Sequence, residues 1–112
     1  MIGREERRAY DTRAGVFHLA EINVERLGDQ DGAMRFAVHI REGDSSTAHD
    51  VTVSTHDLDR LGARYASPEG FVEACFGFLL EREPKESILR SFDVAVIAGY
   101  FPEFDRVIAR DG

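Results

Sequence analysis

The sequence predicts an α+β fold: a three-stranded antiparallel β-meander followed by a buried central helix and several short C-terminal helices. Three observations predict it. Apolar residues alternate with polar ones up to about Ser54, the period of a half-buried strand. The period then changes, and Phe71–Leu80 is apolar around most of a helical circumference. Finally, all three prolines stand where helices start, each with a carboxylate within the next two residues.

The first predicted strand spans 16–27. Val16, His18, Ala20, Ile22 and Val24 share one face, with Phe17, Leu19, Glu21, Asn23 and Glu25 on the other. "GDQDG", Gly28 to Gly32, reads as a hairpin turn, because Asp and Gly tolerate turn dihedrals. The second strand spans 33–41, with Met34, Phe36, Val38 and Ile40 on one side and Arg35, Ala37, His39 and Arg41 on the other. "EGDSS", Glu42 to Ser46, is the next turn. The third strand covers about 47–54, with Val51 and Val53 inward.

In the second half, Ser54 or Thr55 is placed to cap a short helix over "HDLDRLG". "SPEG" opens the principal helix: Ser67 is the N-cap, Pro68 takes the first helical position, and Glu69 lies near the positive end of the helix dipole. This helix is predicted to run to about Arg82. A helix apolar nearly all round must be covered on more than one side, and a three-stranded sheet covers only one. Short helices over 84–91, 94–101 and 102–109, the middle one capped by Asp93, are expected to supply the rest. They would bring in Ile88, Leu89, Phe92, Val96, Ile97, Tyr100, Phe101, Phe104 and Ile108.

At 112 residues the chain is expected to form one domain, with residues 1–14 a flexible, charge-mixed tail. The single cysteine, Cys75, has no internal disulfide partner, which suits a reducing compartment. The first fifteen residues carry no apolar core that would make a secretory signal. No apolar run approaches the roughly 18 residues of a membrane span. A cytoplasmic setting is therefore expected. The net charge of −7 would repel phosphate backbones and argues against nucleic acid as a partner.

Candidate chemistry is sparse. His18 and His49 fall in phase with inward residues, and a meander would set both beside the Ile40 end of the central strand, where two imidazoles could begin a metal or ligand site. Cys75 lies mid-helix without a basic neighbour in sequence and reads as a core thiol. "STHDLDR" has the composition of a catalytic triad but the order of a strand end and helix cap. "EREPKE" reads as a solvated corner with local ion pairs. No phosphate loop, zinc spacing, dinucleotide fingerprint or calcium loop is present, so neither a catalytic residue nor a cofactor is assigned. Tyr100, Phe101 and Phe104 cluster at a proline corner and are candidates for a partner-binding or self-associating patch.

The stretch "SPEGFVEACFGFLLEREPKESILRSFDVAVIAGYFPEF", Ser67 to Phe104, resembles the C-terminal segment of a group of small bacterial proteins of unassigned function, with a similar proline-marked helix relay behind a β-meander. The resemblance implies a bacterial cytoplasmic setting and carries over no site residue. The functional expectation is a non-enzymatic interaction or accessory module, binding another protein or a second copy. The alternative is a small-ligand or metal-binding protein, conceivably an enzyme, built on His18 and His49.

Overall fold

The computed structural model describes the backbone of residues 4–11 and 17–111 and the side chains of residues 20–110. Five strands form one mixed sheet in chain order: β1 (Arg4–Asp11), β2 (Phe17–Gln30), β3 (Ala33–Glu42), β4 (Ser45–Ser54) and β5 (Ser91–Asp93). The first four pair antiparallel as a meander, and β5 joins β4 in parallel. The helices are α1 (Thr55–Arg60), α2 (Pro68–Leu80), α3 (Ile97–Tyr100) and α4 (Phe104–Asp111). None is long and apolar enough to cross a membrane.

The α+β class and the meander agree with the sequence, but the sheet has two strands more than the three expected. Arg4–Asp11, expected within a flexible tail, pairs along β2 from Val24 to Phe17; residues 1–3 and 12–14 of that tail lie outside the described residues. "REERRAYD" has no apolar alternation to announce a strand. Its backbone hydrogen bonds to β2 supply the order. The other addition, β5, is three residues long, too short to show a period of two.

Turn chemistry fixes the register of the meander. Asp31 and Gly32 both have positive φ, 53° and 78°, as a two-residue type I′ hairpin requires. Gly28, Asp29 and Gln30 therefore remain in β2, and a bulge at Leu27 shifts the pairing between Arg26 and Gly28. Across β2, β3 and β4 the register sets Ile22 beside Ile40 and Thr47, then Val24 beside Val38 and His49. Ala20, Ile22, Val24, Phe36, Val38, Ile40, Val51 and Val53 are all buried on one face. The other face carries Glu21, Asn23, Arg35, His39, Arg41 and Asp50, with Arg41 ion-paired to Glu21.

The crossover from β4 to β5 carries α1 and α2 over the buried face. The Ser54 hydroxyl accepts from the Asp57 amide at 3.0 Å and starts α1. The Ser67 hydroxyl accepts from Gly70 at 3.0 Å and starts α2, with Pro68 in the first turn as expected. α2 ends at Leu80 and lies over β1 and β2. Its Phe76 ring meets His49 and Phe92 on the β4–β5 side, at centroid distances of 5.4 and 5.9 Å. Phe78, about 200° further round the helix, meets Phe101 and Phe104 edge-on at 5.9 and 5.1 Å.

That second contact is the C-terminal relay, and its local structure differs from the expected run of three helices. In place of the helix expected over 84–91, Pro84 introduces only a 3-10 turn, Lys85–Ser87, and the chain becomes a short strand from Ser91 to Asp93. Asp93 does cap the following turn, accepting from the Ala95 amide at 3.0 Å, and also accepts from the Thr52 hydroxyl at 2.7 Å. α3 is a single turn, and α4 begins at Phe104, two residues after Pro102.

"EREPKE" has the local ion pairs expected, Arg82 with Glu81 and Lys85 with Glu86, and both of these carboxylates are exposed, but the corner is not solvated throughout. Lys85 is only 3% exposed. Its ammonium donates to Glu42 at 3.1 Å and Glu86 at 2.8 Å, and Glu86 also accepts from Ser45 at 3.2 Å. Burial by itself would lower the Lys85 pKa, but hydrogen bonds to the two carboxylates and their charges outweigh it and hold the pKa above the ordinary value. The pair ties the end of the β3–β4 hairpin to the start of the relay. We expect Lys85→Ala to cost about 2 kcal/mol in urea unfolding and Lys85→Met, which keeps the apolar stem, to cost less. Equal losses would show that the stem contributes nothing and the charged hydrogen bonds everything; no loss in Lys85→Met would show that the charge contributes nothing.

Candidate functional site

The expected pair of histidines does not form a pair at one end of the sheet. His49 aligns with Val24 through Val38, whereas His18 lies six positions away along β2, about 20 Å of strand. The His18 side chain lies outside the described residues. His49 is 4% exposed and engaged at both nitrogens. Nδ1 is 2.7 Å from the Leu89 carbonyl, which can only accept, so Nδ1 carries the proton. Nε2, 2.9 Å from Thr47 Oγ1, then accepts from that hydroxyl in the neutral ring. Burial pushes the pKa of His49 below its ordinary value. The hydrogen bond to Leu89 opposes this only in part, and the charges of Arg90 and His39 add to the lowering. His49 is a satisfied core residue that pins the backbone at Leu89.

Other polar candidates are likewise committed to structure. Cys75 is fully buried in α2, and burial raises its thiol pKa well above the ordinary value, which keeps it unreactive. In "STHDLDR", Ser54 caps α1 and Asp57 pairs with Arg60 at 3.0 Å, while His56 points to solvent. Arg60 also reaches Asp105 at 2.8 Å and so ties α1 to α4. Among the described residues no three His, Cys, Asp or Glu side chains converge to hold a metal ion.

The feature that stands out is apolar. Four large apolar side chains are exposed among the described residues, and three of them, Leu89 (46%), Val96 (38%) and Tyr100 (67%), line one cleft of about 140 Å³. Leu79 from α2, Ile88 and Ile97 are buried and form its inner wall; Phe92 and Phe101 also line it, and Glu83 and Ser87 add polar edges. The cleft exists because the relay is built of one-turn elements. Arg82, with its guanidinium 3.5 Å from the Phe78 ring centroid and a 2.9 Å bond to Glu103, closes the neighbouring side of the aromatic corner.

Of the three aromatic candidates, Tyr100 and Phe101 line this cleft. Phe104 is 1% exposed and packed on Phe78, so it serves the core and not a contact surface. Leu89 and Val96, expected to cover α2, face outward. Their signal was present as adjacent apolar pairs: Ile88–Leu89, Val96–Ile97 and Tyr100–Phe101. In a single turn or an extended segment neighbouring side chains diverge, so one of each pair turns away from the core.

No protein-family model, curated protein or solved structure matches the chain.

The lowered pKa of His49 gives a signed prediction. The unfolded chain takes up the proton near pH 6.5 while the folded chain does not. Stability should therefore fall as pH drops below about 6.5 and level off below the folded pKa of His49. Urea unfolding between about pH 7 and pH 5 should show this slope in the wild type and a shallower one in His49→Gln. An equal slope in both would place the titration elsewhere.

Proposed function

We propose that this protein is a non-enzymatic interaction module and that the cleft between the Ile88–Leu89 segment and α3 is its contact surface. The observation that carries this reading is the convergence of Leu89, Val96 and Tyr100 on one apolar cleft while the rest of the core is covered. Exposed apolar groups lose hydration cost when a partner covers them, and an exposed aromatic beside an apolar cleft is the usual composition of a binding hot spot. The polar candidates support the same reading, since His49, Asp57 and Lys85 are held in structural hydrogen bonds and Cys75 is sealed in the core. The sheet-end histidine reading is not favoured, because the register separates His18 from His49.

The test is site-directed photo-crosslinking in the cells that make the protein. A photoreactive residue at Tyr100 should give a discrete adduct, and one at the exposed Ala48, on the opposite face of the sheet, should not. Equal labelling at both positions, or none at Tyr100, would overturn the reading. A companion contrast separates surface from core. Tyr100→Ser should change stability by no more than about 0.5 kcal/mol, whereas Phe104→Ala should cost about 3–5 kcal/mol in urea unfolding. Comparable losses would mean that Tyr100 belongs to the core.

A further inference from the structure

The dimensions and charge of the cleft also constrain its occupant, given the interaction reading on which this step rests. We propose that the cleft takes a short polypeptide segment presenting one Leu- or Phe-sized side chain flanked by lysine or arginine.

The size argument sets the anchor. About 140 Å³ is close to the ~150 Å³ cavity, lined by Leu, Ile and Phe, that holds a single benzene ring. One aromatic ring or one isobutyl group fills such a space. A full amphipathic helix face needs a groove long enough for side chains at i, i+3 or i+4, and i+7, which this cleft does not provide. A single-anchor segment matches it.

The charge argument sets the flanks and separates the possible occupants. Glu83 lines the cleft, and the stretch from Glu81 to Glu103 holds five carboxylates against three cations. The pairs Arg82–Glu103 and Lys85–Glu86 lie within this stretch and leave its excess of two carboxylates unchanged, and Glu42, the second partner of Lys85, adds one more beside it. The chain as a whole carries −7, so a second copy would approach against like charge, whereas a basic segment approaches with it. Basic flanks on an apolar anchor complement both the wall and the surroundings of the cleft.

The experiment uses the full chain, ¹⁵N-labelled, titrated with three synthetic twelve-residue peptides: a Phe anchor flanked by lysines, the same anchor flanked by glutamates, and an alanine in place of the anchor with lysine flanks. The lysine-flanked Phe peptide should shift the amides of Leu89, Val96 and Tyr100, bind about tenfold tighter than the glutamate-flanked one, and weaken as salt is raised. The alanine peptide should not shift these amides. The double variant Leu89→Ser/Tyr100→Ser, altered only at exposed positions, should keep a folded spectrum and lose the response.

Equal affinity for the two Phe peptides would overturn the basic-segment inference and leave the cleft as an interaction surface. Shifts of these amides with protein concentration alone would overturn it in favour of a second copy. Absence of any peptide response, alongside a specific Tyr100 crosslink, would overturn the inference without touching the interaction reading. Absence of both would remove both.

Discussion

Everything in this fold follows from a helix that cannot be left half-covered. α2 buries Phe71, Val72, Cys75, Phe76, Phe78, Leu79 and Leu80, residues that point to nearly every side of the helix. A helix laid on a sheet hides one stripe. At roughly 25 cal/mol per Å² of apolar surface, leaving two phenylalanines and a leucine in water on the far side would cost several kcal/mol. That is a large part of the 5–15 kcal/mol by which a domain of this size is stable. The chain therefore has to come back over α2, and residues 84–111 are the part that does so. Phe76 and Phe78 divide the helix between its two covers. One looks toward His49 and Phe92, the other toward Phe101 and Phe104.

The way the chain returns explains the cleft. Between Pro84 and Pro102 it makes a 3-10 turn, a three-residue strand, a second 3-10 turn and one turn of α-helix. No element in that run is long enough to present a continuous apolar stripe. The run contributes only three buried apolar side chains, Ile88, Val94 and Ile97, and the neighbours Leu89, Val96 and Tyr100 are left at the surface together. The anchors of the run are polar: the Lys85 clamp to the β3–β4 hairpin, the His49 bond to the Leu89 carbonyl and the Asp93 bridge to Thr52. They fix the backbone on the sheet side while the apolar side chains on the other side stay uncovered. The proposed contact surface is in this sense a by-product of wrapping a helix with short elements, held in place by bonds that lie beneath it.

Much of the scaffold was legible in the sequence. The alternation of Phe36, Val38 and Ile40 gave β3, Ser67-Pro68-Glu69 gave the start of α2, and Asp93 gave a cap, all for reasons that act within a few residues. What was not legible depends on contacts across the fold. β1 is a polar sequence made into a strand by the free edge of β2. β5 is three residues recruited by β4. Lys85 looked like a solvated charge, and only the hairpin brought round by the meander supplies Glu42. For the site, Tyr100 and Phe101 were found as an aromatic cluster, but Phe104 was grouped with them. Its burial beside Phe78 follows from the start of α4 at that residue, which chain-local reasoning placed two residues earlier. The pairing of His18 with His49 failed on register: a two-residue turn at Asp31–Gly32 moves β2 along β3 relative to the five-residue turn that "GDQDG" suggested.

The central claim is that the relay is the second cover of α2 and folds with it as one unit. Native-state hydrogen exchange at rising urea tests it directly. The Phe101 amide, which donates to Ile97, and the Asp50 amide, which donates to Arg90, both report on the relay, and the amides of Phe76 and Leu79 report on α2. If the claim holds, the relay amides merge with the α2 amides into a single opening reaction before global unfolding. If Phe101 and Asp50 exchange through openings far below the energy of the α2 amides, with α2 protection undiminished, α2 does not need the relay and the claim is wrong.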